Sequence, residues 1–459
     1  MRRERIYTFD IVKGIAILVV IPLHALIYQI GESDPALFEP IISGLSREIL
    51  IMLAPIILLS LWGPIFIQIT GANIAYGFLR VYQRNPNESS AYILRRILAA
   101  VLLIFVSRTA VFVFKGGLIG FDSFDNLDSG MRYYADTLDS IALTNIIVPL
   151  FILYIINRVK SRRLKKLQNN VEAPVKPRHI YIGLGIITAL WFLFTPVVQA
   201  LKPYVHSIME KHNWKLLLLL YSKMTTGRFR FFPILGFGYV GAIVGTAIFY
   251  REKFRDLRKY TGLFFLMTLI AFIVWCFLVE NPVGNVATDD NSNMLQILIL
   301  GAMTFALVLM IGRYDYCPQE LRRKRISKTL FVRRFSMVTL TIYIMEYLLA
   351  YGVYHIFERF WETAVQYVDE VPVLKWGITQ IVTFIIVICV IWIIIVRLWE
   401  KVDFAGSLEW VTLRLGALFL RQRHVRINSR QILYGLPEDG SARQPWAETA
   451  VGSPETKLD

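Results

Sequence analysis

Long apolar runs alternate with short polar segments from one end of this 459-residue chain to the other. Ten runs stand out, roughly 11–31, 48–72, 97–115, 138–158, 180–201, 232–250, 261–280, 294–313, 336–357 and 378–400. Each approaches or exceeds the roughly 20 helical residues that cross a hydrocarbon core about 30 Å thick. The runs are continuous rather than alternating, which argues against a transmembrane barrel. The pattern predicts an all-α protein, a polytopic transmembrane helical bundle of about ten spans.

The polar segments between the runs alternate in charge. Segments 1–10, 80–96, 159–179, 251–260 and 314–335 are rich in Lys and Arg, as in KSRRLKK and ELRRKRISK. The opposite segments include GFDSFDNLDSGMRYYADT and ATDDNSN, which are acidic or neutral. The segment 202–231 breaks the rule with Lys215, Lys223, Arg228 and Arg230, and reads as an exterior loop with a basic patch. The positive-inside rule then places both termini in the cytoplasm. Residues 1–402 form the transmembrane domain. In 403–435, SLEWVTLRLGALFLRQRHV separates apolar residues from arginines and reads as an interfacial helix on the cytoplasmic leaflet. Residues 436–459 read as a disordered tail. The sequon Asn87-Glu88-Ser89 falls in a cytoplasmic segment and is discounted.

Composition agrees. The chain is 55% hydrophobic and 18% charged, with a mean hydropathy of +0.51, outside the soluble globular range. The net charge of +16 sits in short loops, so it marks orientation and contact with membrane lipids rather than nucleic-acid binding. The N-terminal MRRER leads straight into the first apolar run with no small-residue cleavage site, so no cleaved signal peptide is expected. Cys276, Cys317 and Cys389 suggest neither a disulfide framework nor a metal site.

Ionisable residues inside spans are functional candidates. Here they are His24, Arg108 and Glu346. Lys13 and His24 are eleven residues apart, about 16 Å of helix rise and close to three turns, so they share a face. Asp10 stands one turn from Lys13 and can pair with it. Pro22 removes a backbone donor beside His24. His24 reads either as a buried polar residue bonded across helices or as a catalytic group. Arg108 and Glu346 pair with each other, turn toward the outer surface, or serve the site. Arg95-Arg96 and Arg333-Arg334 each open a span from the cytoplasmic side, as lipid anchors or as a rim for an anionic cofactor. The spaced glycines of GFGYVGAIVG suit close helix packing. There is no HExxH, Walker motif or serine nucleophile elbow.

FDIVKGIAILVVIPLH resembles the first helix of membrane acyltransferases. In the acyltransferase-3 family an Arg precedes a His by ten intervening residues, and here Lys13 precedes His24 at that spacing. ITGANIAYGFLRVY with ILRRILAAVLLIFVSR, FRFFPILGFGYVGAIVG and RRFSMVTLTIYIMEY resemble segments of the related heparan-α-glucosaminide N-acetyltransferase-like proteins. GSLEWVTLR resembles the ending of a sister group. These matches keep their order over residues 5–420. Three positions depart: Lys13 stands for Arg and loses the bidentate fork, Ser407 stands for Pro, and Glu346 stands where relatives often have His.

The resemblance implies transfer of an acyl group, acetyl or longer, from cytoplasmic acyl-CoA to a hydroxyl or amine of an extracytoplasmic glycan or glycolipid, with no metal. It implies His24 as general base, an imidazole being suited to proton transfer near neutral pH. Lys13, Arg95, Arg96, Arg333 and Arg334 would hold the acyl-CoA. Asp10, Arg108, Arg230, Glu346, Glu409, Trp410 and Arg414 would support substrate or site. Gln68, Thr70 and Asn73 are candidate oxyanion donors. A covalent acyl-histidine is the other route. A transporter or flippase using the same intramembrane charges, and a silent scaffold of the same fold, are the competing readings. A plasma membrane and a possible homodimer complete the expectations.

Overall fold

The computed structural model describes residues 5–30, 63–111, 136–164, 176–227, 229–279, 293–368, 371–419 and 429–434. Most of the second expected span, the acidic segment up to 135, Arg228 and the expected disordered tail lie outside the described residues.

Among the described residues, nine helices are long and apolar enough to cross a membrane. The long helices are α1 (Tyr7–Gln29), α2 (Ile65–Arg84), α3 (Ser89–Val111), α4 (Thr137–Leu164) and α5 (Pro177–Lys211). After the short α6 (Lys215–Thr225) come α7 (Phe231–Phe249), α8 (Phe254–Leu278) and α9 (Asn293–Tyr314). Two short helices, α10 (Gln319–Lys328) and α11 (Leu330–Ser336), lead into α12 (Thr339–Trp361). A small antiparallel hairpin, β1 (Val365–Val368) and β2 (Val371–Leu374), pairs Val365 with Leu374 and leads to α13 (Ile378–Glu400). The short helices α14 (Leu408–Phe419) and α15 (Ser429–Tyr434) follow.

The helix α2 differs from expectation. It begins in the last residues of the expected span 48–72 and runs on into the segment read as a basic loop. Its polar residues look like the end of a span, but they are buried or half-buried in the bundle. Gln68 is fully buried and donates to Thr304 on α9 at 2.6 Å. The glycines of α7 let α2 approach closely, as their spacing suggests. A Cβ on Gly241 would lie 1.9 Å from the Gln68 carbonyl oxygen, and one on Gly245 would lie 2.1 Å from that of Ala72. These contacts run in register, so α2 and α7 are parallel. Segment 202–231 also differs: α5 continues through Pro196 and Pro203 to Lys211, and the apolar run after it forms α6.

The first helix is central. It packs against α2, α9, α11, α12 and α13. A Cβ on Gly14 would lie 2.1 Å from the Val332 carbonyl oxygen, so α1 and α11 touch backbone to backbone. The free N–H groups at the start of α1 are met by Asp315, just beyond α9. Its carboxylate accepts from the Tyr7 N–H (2.9 Å), the Thr8 N–H (3.1 Å) and the Thr8 hydroxyl (2.5 Å). Burial pushes the Asp315 carboxyl above its ordinary range, and these bonds oppose the shift.

The expected interfacial helix is docked at its first turn. The Leu408 N–H donates to the Thr341 hydroxyl at 2.8 Å. Glu409 accepts from the Leu340 N–H (2.5 Å) and the Thr341 hydroxyl (2.6 Å), so it caps the start of α12. Ser407 caps α14 itself, accepting from the Trp410 N–H at 3.1 Å, which a proline side chain could not do. Leu413, Leu418 and Phe419 remain exposed.

Candidate active site

His24 stands 17 residues into α1, past Pro22, where the helix continues unbroken. In α12, Tyr343 and Glu346 are three residues apart and share one face. Both meet His24. Its Nδ1 contacts Glu346 Oε1, and its ring packs edge-on against Tyr343, with centroids 5.7 Å apart at 63°. The Glu346 side chain is only 3% exposed and that of His24 18%. A buried carboxylate at this distance belongs to a hydrogen-bonded pair, because an isolated charge there costs several kcal/mol or more.

Glu346 and Arg108 therefore do not pair with each other. Arg108 Nη2 reaches both Asp139 oxygens, at 2.6 and 2.5 Å, and Lys223 Nζ reaches the same carboxylate at 2.9 Å. Asp139 connects back toward the histidine. Its Oδ2 accepts from the Asp136 N–H at 3.2 Å, and Asp136 Oδ1 accepts from the Tyr343 hydroxyl at 2.6 Å. A polar chain thus runs from His24 through Tyr343, Asp136 and Asp139 to Arg108 and Lys223. Sequence reasoning missed Tyr343, Asp136 and Asp139. The signals were present: a tyrosine one turn before the intramembrane Glu346, and two carboxylates at the start of an apolar run, where a helix N-terminus favours negative charge.

At the end where α1, α3 and α11 begin, Lys13 lies 3.8 Å from Asp10, which also accepts from Arg5 Nε at 2.5 Å. Arg95 is exposed, while Arg96 Nε donates to the Tyr92 hydroxyl at 3.1 Å. Arg333 and Arg334 are buried and engaged within the chain. Arg333 donates to the carbonyls of Ile432 (2.6 Å) and Leu433 (3.2 Å) and lies over the Tyr7 ring. Arg334 bonds Glu400 (2.7 Å) and the Tyr434 hydroxyl (2.8 Å). Both thus hold α15 against the bundle. Arg230, read as part of an exterior patch, is 2% exposed at the start of α7. Arg414 lies over the Trp410 ring at 5.1 Å. Of the oxyanion candidates, Gln68 donates to Thr304 and Thr70 to the Phe66 carbonyl of its own helix, while Asn73 is half-buried on the same helix. No group of three His, Cys, Asp or Glu among the described residues is arranged to hold a metal ion.

A comparison with protein families matches an acyltransferase domain over residues 6–397. The chain belongs to the acyltransferase-3 family. Comparisons with curated proteins and with solved structures gave no match. Family and helices together make it an integral, multi-pass membrane acyltransferase.

Proposed function

We propose that the protein moves an acyl group from acyl-CoA to a hydroxyl or amine of a glycan or glycolipid on the other side of the membrane, with His24 as general base. The observation that carries this reading is the contact between His24 Nδ1 and Glu346 inside the bundle. Nδ1–H donates a hydrogen bond to the Glu346 carboxylate, which fixes the tautomer and assigns Nε2 to proton transfer. The acceptor oxygen or nitrogen attacks the thioester carbon while its proton passes to Nε2. The new bond forms, the carbon–sulfur bond breaks, and the imidazolium returns the proton to the departing thiolate. Glu346 stabilises the transient imidazolium without itself taking the proton. Lys13 and Arg95 stand at the end that the charge pattern assigns to the cytoplasm, where cations suit nucleotide phosphates. Arg108, Asp139 and Lys223 lie toward the acceptor side.

The test is saturable binding and slow hydrolysis of radiolabelled acetyl-CoA by the purified full-length protein, with His24→Ala and Lys13→Ala alongside. Binding kept but hydrolysis lost in His24→Ala supports the reading. Absence of binding by folded wild-type protein, to acetyl-CoA and longer acyl-CoAs alike, overturns it in favour of transport or a scaffold.

A further inference from the structure

A cleft of about 720 Å³ opens among α5, α7, α8 and α9, a volume in the range of small-ligand sites. No described residue of α1 or α12 lines it, so it is separate from the pair of His24 and Glu346. All four walls are helices long and apolar enough to cross a membrane. The α5 wall runs from Tyr181 to Phe192, about 16 Å of helix rise. One leaflet of a hydrocarbon core about 30 Å thick has that depth. The wall is open at Gly185, where an added Cβ would meet nothing within 4 Å. The helix α8 packs chiefly on α9 and exposes Leu263, Leu266 and Ile270. The medium beside the cleft is lipid.

One end of the cleft is polar. Tyr181, Glu252, Asp256 and Tyr260 line it where α5 and α8 begin, the end that the charge pattern assigns to the cytoplasm. The Asp256 side chain is 44% exposed and Glu252 is half-buried, so an occupant can reach both carboxylates. The hydroxyls of the lining are largely committed. Tyr181 donates to Glu252 at 3.2 Å. Thr188, Thr261 and Thr304 donate to the carbonyls of Leu184, Leu257 and Leu300. What these groups still offer is lone pairs and negative charge. No Lys or Arg lines the cleft itself. The charge reverses just outside it: Lys253, Arg255, Arg258 and Lys259 flank the two carboxylates and are exposed. The site therefore suits an apolar chain whose head carries a cationic N–H donor beside an anion. A purely anionic head would meet two carboxylates at the mouth.

We infer that the cleft binds one chain of a phospholipid with a primary ammonium head, of the phosphatidylethanolamine type. Its ammonium donates to Glu252 and Asp256, and its phosphate lies toward the flanking cations. The chain matches the apolar walls in character and in depth. A quaternary ammonium carries the same charge but has no N–H to donate, so the carboxylates distinguish the two heads. This site stands whether or not His24 is the base.

The experiment loads the full-length protein with an equimolar mixture of dioleoyl phosphatidylethanolamine and dioleoyl phosphatidylcholine, exchanges it into detergent, and measures the retained lipids by mass spectrometry. The two lipids share chains, glycerol and phosphate and differ only at the ammonium. The wild type is expected to retain the ethanolamine lipid about fivefold over the choline lipid, the scale of one charge-assisted hydrogen bond at a partly exposed site. The double substitution Glu252→Gln with Asp256→Asn keeps the shape and an acceptor for Tyr181, and brings that ratio to about one. Gly185→Trp fills the cleft and abolishes the preference with both carboxylates in place. Each variant is read only on protein with the wild-type elution profile and thermal midpoint. Equal retention by the wild type, or an ethanolamine preference that survives either the double substitution or Gly185→Trp, overturns the inference.

Discussion

Replacing Glu346 by Gln tests the chemistry of the pair with little change of shape. The amide keeps an oxygen able to accept from Nδ1 but removes the negative charge. In the transition state the imidazole carries a positive charge against a side chain only 3% exposed. Two unit charges about 4 Å apart at an effective dielectric near 20 attract by about 4 kcal/mol. The amide dipole recovers part of this, which leaves about 3 kcal/mol. At about 1.36 kcal/mol per tenfold, kcat falls about a hundredfold. The acyl donor is held by other groups, so its KM changes by less than about threefold. The assay is steady-state transfer to a water or sugar acceptor, with elution profile and thermal midpoint as folding controls. A folded Glu346→Gln with kcat within about threefold of wild type would refute the argument and leave the His–Glu contact a structural one. Loss through KM alone would refute it equally, since a base acts on the chemical step.

Other expectations follow from the same geometry. Asp139→Asn leaves Arg108 and Lys223 without their shared carboxylate and should lower stability by about 3 kcal/mol, whereas Arg108→Ala, at a side chain 44% exposed, should cost less than about 1 kcal/mol. Thermal unfolding in detergent reads that asymmetry, and equal effects would contradict it. Gly241→Ala pushes a methyl into the Gln68 carbonyl and should destabilise by about 1–3 kcal/mol, while Gly185→Ala, with nothing within 4 Å, should be neutral or mildly stabilising. Burial raises the Glu409 carboxyl above its ordinary value. Stability should therefore fall as pH rises from the ordinary carboxylate range toward the raised value, because the folded state there favours the protonated form. Melting curves across pH should lose that slope in Glu409→Gln.

Much of the bundle was readable from period and length alone, since a lipid-facing helix advertises itself by continuous apolarity. Nine expected spans correspond to helices with ends shifted by several residues. The helix α2 escaped because its wall is protein rather than lipid: glycines on α7 let a polar face be buried, and hydropathy has no record of a neighbour. His24 and Glu346 were each visible as intramembrane ionisable residues, but their union was not, because they are 322 positions apart. The sequence offered Glu346 as one possible partner of Arg108, and Asp139 escaped notice at the edge of an apolar run. Arg333 and Arg334 looked like a ligand rim because their charge was legible, while the carbonyls and hydroxyl that engage them lie about a hundred residues on.

The central place of α1 has a consequence for biosynthesis. It leaves the ribosome before the groups that meet it, and Asp315 and Glu346 follow Thr8 and His24 by 307 and 322 positions. At about 5–20 residues per second, roughly 15 to 65 seconds separate the emergence of His24 from that of Glu346. During that time the first helix holds an imidazole in the bilayer before its carboxylate partner exists. Nascent chains stopped short of α12 should stay bound to the insertion machinery or be degraded, and release should begin only once α12 has been made.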